Sequence, residues 1–268
     1  MLYYIYMAEF IALRKSRNLA SAIVQVILNI LLGISTVVAT LVSGSPLIGI
    51  ILVILSKWRI FAVRPRFFLV NLKSNLVDLT VGLSVVALAY FIGSTVLPAH
   101  YLLAATYVIW LLFIKPRSGK LWPLVQALIA TLLGISAATI GGMMSDSIVA
   151  VIFSFIIIYG ALRHILVQNE APENFELIAL ANAVVGSEIV YICSNWGIVY
   201  TFGQSTGFML TQSAVIITLL TYLFFTVFES VQKYDGRLRA RDIIVPIFFT
   251  FTMIAIVIFG FSEPYFNI

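Results

Sequence analysis

From Leu19 to Val42 the chain runs 24 residues without a charged side chain, and comparable apolar runs recur to its end. Charge, where it occurs, is not scattered. The sixteen basic residues fall in five places: Arg14/Lys15/Arg17; Lys57/Arg59/Arg64/Arg66/Lys73; Lys115/Arg117/Lys120; Arg163; and Lys233/Arg237/Arg239/Arg241. The turns between them, around Gly44-Ser45-Pro46, Gly93–His100, Gly141–Asp146 and Tyr200–Gly207, carry no basic residue. An apolar run of about twenty residues is the length a helix needs to cross a hydrocarbon layer of about 30 Å. Inside that layer the backbone must satisfy its own hydrogen bonds, which leaves helices or closed barrels. The strict alternation of a barrel strand is absent. The expected fold is an all-α, polytopic helical bundle in a membrane.

Composition closes the other routes. Of the 268 residues 62% are hydrophobic and only 10% charged, and the mean hydropathy is +1.09. A soluble domain is roughly half apolar and a quarter charged, because its surface must be polar. The net charge of +5 would suggest nucleic acid in a soluble protein. Here its placement follows topology, and no nucleic-acid partner is expected. The single cysteine, Cys193, permits no intrachain disulfide. The chain has no glycine-rich phosphate loop, no His/Cys cluster at metal-ligand spacing and no mid-span lysine for a retinal Schiff base. No cofactor, no metal and no catalytic residue are therefore expected.

Nine apolar segments can be drawn: Leu19–Val42, Pro46–Val63, Asn75–Leu97, Pro98–Ile114, Leu121–Gly141, Ser147–Val167, Phe175–Tyr200, Gly207–Phe228 and Ile243–Phe261. The fourth is short, so eight or nine spans are expected. Lysine and arginine are retained on the cytoplasmic side. With nine spans this puts the amino terminus inside and the tail SEPYFNI outside, in a multi-pass protein of the cytoplasmic membrane. The opening stretch MLYYIYMAEFIALRKSR places aromatics before its basic residues, the reverse of a secretory leader. Residues 1–18 read as an interfacial segment.

QVILNILLGIS, Gln25–Ser35, and QALIATLLGIS, Gln126–Ser136, agree at six of eleven positions, offset by 101. Each begins a hairpin with a tight outer turn. This suggests a parallel four-plus-four repeat, residues 19–120 and 121–236, followed by a final helix and outer tail, 237–268. Small residues form two stripes, Ala127, Ala130, Gly134, Ala137 and Gly141, and Ala179, Ala183 and Ser187 with Gly186 beside them. Such stripes let neighbouring helices approach closely.

The segment RPRFFLVNLKSN, Arg64–Asn75, is basic with an apolar core. It reads as ordinary positive-inside anchoring, or as a surface helix holding anionic lipid headgroups through Arg64, Arg66 and Lys73. Asp78, Glu176 and Glu229 stand near inner span ends and read as solvated. His164 beside Arg163 reads as interfacial.

Glu188 is different. No lysine or arginine lies within twenty residues on either side of it. Twelve or thirteen residues from Phe175, at about 1.5 Å each, carry it to the middle of its span. An acid there is penalised by about 2.5–3.5 kcal/mol and calls for a proton, a cation, water or a partner. Tyr191 and Asn195, at i+3 and i+7, share its face, and Ser187 and Ser194 form an adjacent stripe. These five residues are the candidate substrate- or proton-binding set. One reading is a small secondary transporter or permease of a proton, cation or small cationic solute. Another is a non-catalytic scaffold or assembly subunit that binds other membrane proteins, with Glu188 fixing helix register. A third rests on GQSTG, Gly203–Gly207, which matches G-x-S-x-G, with His100 and Asp146 in turns on the same side. That would be an outer-face serine hydrolase, although the strand-to-helix context of the motif is not expected here.

Overall fold

The computed structural model describes the backbone of residues 2–93, 96–169, 172–196, 198–202, 208–234 and 237–260, and side chains over the same ranges except 2–20, 201, 202 and 208. Eleven α-helices are present, α1 Leu2–Ser43, α2 Pro46–Ser56, α3 Trp58–Phe61, α4 Phe68–Ser74, α5 Leu76–Ile92, α6 Leu97–Ile109, α7 Trp122–Met144, α8 Ser147–Gln168, α9 Phe175–Ser194, α10 Gln212–Lys233 and α11 Ala240–Gly260. Among the described residues seven helical segments are long and apolar enough to cross a membrane: Ser21–Ser43, Leu97–Ile114, Trp122–Met144, Ser147–Gln168, Phe175–Ser194, Gln212–Lys233 and Ala240–Gly260. An eighth arises if Pro65–Ser74 and Leu76–Ile92, which meet at a bend of 67°, form one broken span. The chain is a multi-pass integral membrane protein with a nearly all-α fold.

Three elements differ from the segments drawn on the sequence. The stretch Pro46–Val63 does not form one long helix: α2 stops after 11 residues, and the backbone is broken at Lys57. At about 1.5 Å per residue α2 covers only about half of a hydrocarbon layer. The helix of the first span continues back without a break to Leu2, so α1 is 42 residues long. The seventh and eighth segments end and begin inside the drawn limits. Between them Val199–Phe202 (β1) and Phe208–Thr211 (β2) pair antiparallel, Val199 opposite Thr211 and Phe202 opposite Phe208. This hairpin is the exception to the all-α expectation. Its second strand packs on α5, α7 and α10, and the Thr211 amide donates to Ser136 Oγ (3.3 Å). Buried backbone donors must find an acceptor somewhere, and a buried hydroxyl supplies it here.

Local chemistry explains the sharp hairpins. Ser45 caps α2, accepting from the Leu47 amide, and Pro46 occupies its first turn, where a missing N–H costs nothing. Gly44 takes the left-handed φ of +60° that closes α1. Asp146 caps α8 by accepting from the Ile148 amide (2.9 Å), and Thr211 caps α10.

α7 is the central helix, packed against α5, α8, α9 and α10, and 72% of its most apolar window is buried. The small-residue stripe makes this possible. Ala127 and Ala130 are fully enclosed, and a Cβ on Gly134 would lie 2.8 Å from Thr80 Cγ2 and 3.0 Å from Ile157 Cγ2. The second stripe works the same way: Ala179 and Ala183 are buried, and a Cβ on Gly186 would meet Ile158 Cδ1 at 2.6 Å. α11, by contrast, packs mainly along α10, with 6% of its window buried. It presents Phe248, Phe251 and Phe259 outward, as a lipid-facing helix should.

Candidate functional site

α9 buries Ala179, Ala183, Gly186, Ser187 and Val190 on one face, against α8 and the core. Its 3.6-residue period then fixes what points the other way. Glu188, Tyr191 and Asn195 are all exposed on the outer face, in a belt with Val184, Val185 and Ile192. No described residue forms a hydrogen bond or ion pair with the Glu188 carboxyl. The helix ends at Ser194, six residues beyond Glu188, so the acid stands about 9 Å from that end along the axis. This is nearer one end than the span Phe175–Tyr200 implied, yet still among apolar side chains.

The five-residue set drawn from the sequence therefore divides. Glu188, Tyr191 and Asn195 do share a face. Ser187 is buried on the opposite side, where its hydroxyl donates to the Val184 carbonyl (2.8 Å). Ser194 is half-buried and donates to the Val190 carbonyl (2.7 Å), and the Asn195 amide donates to the Tyr191 carbonyl (3.1 Å). The two serines are occupied by their own helix, a common habit of hydroxyls in apolar surroundings.

A second ionic centre was not anticipated. Asp78, expected to be solvated, is buried near the start of α5 and ion-paired with both Lys57 and Lys115 (2.7 Å to Lys115). The indole Nε1 of Trp110 donates to its other oxygen (3.0 Å). The Lys57 side chain is only 4% exposed and that of Lys115 45%. Two local irregularities assemble this centre. The break after α2 turns Lys57 inward beside α5. At the end of α6 the chain widens into a π-helical turn, Trp110–Ile114, with the Lys115 amide donating to the Trp110 carbonyl (2.8 Å). Bonding five residues apart stacks Trp110 and Lys115 over one another, so both reach the same carboxylate. One acid between two ammonium groups leaves a net positive charge. The Tyr107 hydroxyl one turn deeper is buried without a hydrogen-bond partner among the described residues.

The same end of the bundle carries two further ties. Glu176, in the first turn of α9, accepts from the Tyr159 hydroxyl and from Arg163 Nε (3.0 Å), with Lys73 Nζ at 3.7 Å. α4, α8 and α9 are joined through this one carboxylate. The Gln126 side-chain amide donates toward the carbonyls of Ile114 (2.9 Å), Arg117 and Lys115, at the end of the π turn. The Gln126 carbonyl oxygen is 2.7 Å from His164 Nε2, and His164 is held between α7 and α8. Along the α7–α10 seam, Thr131 meets Thr218 (3.3 Å) and Thr139 meets Ser213 (2.8 Å).

The residues of the serine-hydrolase reading have other work. His100 is buried, and both its ring nitrogens lie at backbone carbonyls, Nδ1 at Val96 (2.9 Å) and Nε2 at Ala89 (3.1 Å). Asp146 is the α8 cap. Ser205 and the rest of Gly203–Gly207 lie outside the described residues. Among the described residues no group of three or more His, Cys, Asp or Glu side chains is placed to hold a metal ion.

Comparison with protein-family models, with curated proteins and with solved structures finds no match.

Proposed function

We propose that the protein is a membrane-embedded assembly subunit, whose α9 docks on a transmembrane helix of another protein that brings a lysine, arginine or histidine to the depth of Glu188. The observation that supports this reading is the direction of the Glu188 carboxyl: out of the bundle, into an apolar belt, without a partner among the described residues. A carboxyl exposed to lipid costs about 2.5–3.5 kcal/mol at the centre of a bilayer, and less toward an interface. A basic group from a partner removes that cost, and Tyr191 and Asn195 extend the polar stripe along the same face. The chain itself offers no such cation, because its basic residues lie at the connections. The partner is therefore a different chain. The basic connections face the cytoplasm in this reading, and the protein resides in the cytoplasmic membrane.

Secondary transport through Glu188 draws support from the same unpaired acid, which can take up a proton or a small cation. The outward direction of the carboxyl means that a partner wall would have to complete the pathway.

A photo-crosslinking amino acid at Tyr191 or Asn195, in native membranes, tests the docking face. The expected result is one discrete adduct with a membrane protein, absent from the same probe at Phe248 on α11 and abolished by Glu188→Leu. Lipid adducts alone, equal at both helices, would overturn the proposal. An adduct with the mass of a second 29.7 kDa chain would replace the foreign partner by self-association. Proton flux by the purified protein alone in proteoliposomes, lost in Glu188→Gln, would replace assembly by transport.

A further inference from the structure

We infer that the broken span at the basic end holds one anionic phospholipid, in a groove formed by α4 and the turn that precedes it. The groove has a volume of about 530 Å³ and is lined by Val63, Arg64, Phe67, Val70, Asn71 and Ser74. Its wall is mainly apolar. Phe67 and Val70 are exposed to it without any covering element, in a chain that spans a membrane. The polar side chains on that wall divide into used and unused. Asn71 Nδ2 donates to the Ile60 carbonyl (2.8 Å), and Ser74 Oγ donates to the Asn71 carbonyl (2.8 Å). Arg64 is exposed, and no described carboxylate lies within ion-pair distance of it or of Arg66. Arg66 is held over the Phe67 ring, 4.5 Å from its centroid, which fixes a second guanidinium beside the groove.

An apolar channel rimmed by two uncompensated guanidinium groups is complementary to one chemistry, an acyl chain joined to a phosphate. Guanidinium forks suit phosphate oxygens bidentately. The bend of 67° at Asn75 lays α4 across the end of α5, so that the groove opens beside the apolar surface. Lys73, which the sequence grouped with these arginines, is engaged elsewhere. It faces Glu176 at 3.7 Å and the Tyr159 ring at 5.6 Å, and it leaves the headgroup to Arg64 and Arg66. The inference depends on the chain spanning a membrane but not on any partner for α9, and its test uses the isolated protein.

The test is native mass spectrometry of the full chain in detergent, titrated with phosphatidylglycerol or with phosphatidylcholine of identical acyl chains. One bound phosphatidylglycerol, retained in preference to phosphatidylcholine, is expected. Arg64→Gln with Arg66→Gln lowers that retention about thirtyfold, since each basic group near an anionic surface contributes about 1 kcal/mol. Val70→Trp, which fills the groove and leaves both arginines in place, lowers retention of both lipids. Three results would overturn the inference: equal loss from Arg237→Gln with Arg239→Gln at the same end, unchanged binding in Val70→Trp, or displacement of phosphatidylglycerol by an equal concentration of inorganic phosphate.

Discussion

Two acids on the helices of this bundle are treated in opposite ways. Asp78 faces inward, is met by two lysines and an indole N–H, and ties α5 to the break at Lys57 and to the π-helical turn that carries Trp110 and Lys115. Glu188 faces outward on α9 and has no hydrogen-bond or ion-pair partner among the described residues. Taking a carboxylate out of water is costly unless a charge and hydrogen bonds replace the solvent. At Asp78 the chain supplies those groups itself, so the acid is part of the fold. At Glu188 it supplies none, so the acid is available to something outside the fold. Resident counter-charge is what separates a structural acid from a recruiting one.

Asp78→Ala is the most severe break of this contrast. It strands Lys57 in the interior beside Lys115, and losing one partner of a buried pair costs about 3–5 kcal/mol. Thermal unfolding of the purified protein should show the lowest midpoint of any variant considered. Trp110→Phe comes next. It removes a donor to a buried carboxylate, which costs about 1.5–3 kcal/mol, and leaves part of the buried indole volume empty, again read as a lowered midpoint. Removing only one lysine tests whether the centre is over-supplied with positive charge. Lys57→Met leaves Asp78 still paired with Lys115, and Lys115→Met acts at a half-exposed ammonium, so each should cost less than about 1 kcal/mol. A loss as large as that of Asp78→Ala in either single variant would mean that the two lysines are not interchangeable. Glu188→Leu should have the smallest effect, within about 0.5 kcal/mol in the isolated protein, because no internal contact is broken. A midpoint shift comparable to that of Trp110→Phe would end the contrast and make Glu188 a structural acid as well.

Much of the packing was legible in advance. The stripe from Ala127 to Gly141 predicts a helix with close neighbours, and α7 is the central, most buried helix. The stripe from Ala179 to Ser187 likewise marks the face of α9 that meets α8. Once that face is known, the outward direction of Glu188 follows from helical period alone. The ionic centre was hidden for a physical reason. Lys115 is 37 positions from Asp78, and Lys57 reaches it because α2 stops short and packs antiparallel to α5. The sequence does carry a sign of that break, since Lys57 and Arg59 interrupt the segment Pro46–Val63. The alternation of charge groups both residues with the inner connection, and that grouping hides the role of the first. The β-hairpin was missed because VYTF and FMLT are short apolar runs, which periodicity cannot distinguish from the ends of helices.

The amino-acid order alone decided the solvent. Apolar runs of membrane length, with lysine and arginine gathered at alternate connections, admit helices in a bilayer and little else, because transfer of side chains and backbone between water and lipid depends on composition and local hydrogen bonding. Tertiary structure alone decided which acid would be satisfied. Pairing depends on three-dimensional distance between residues far apart in the chain, and on which way a broken helix and one widened turn aim a lysine and an indole.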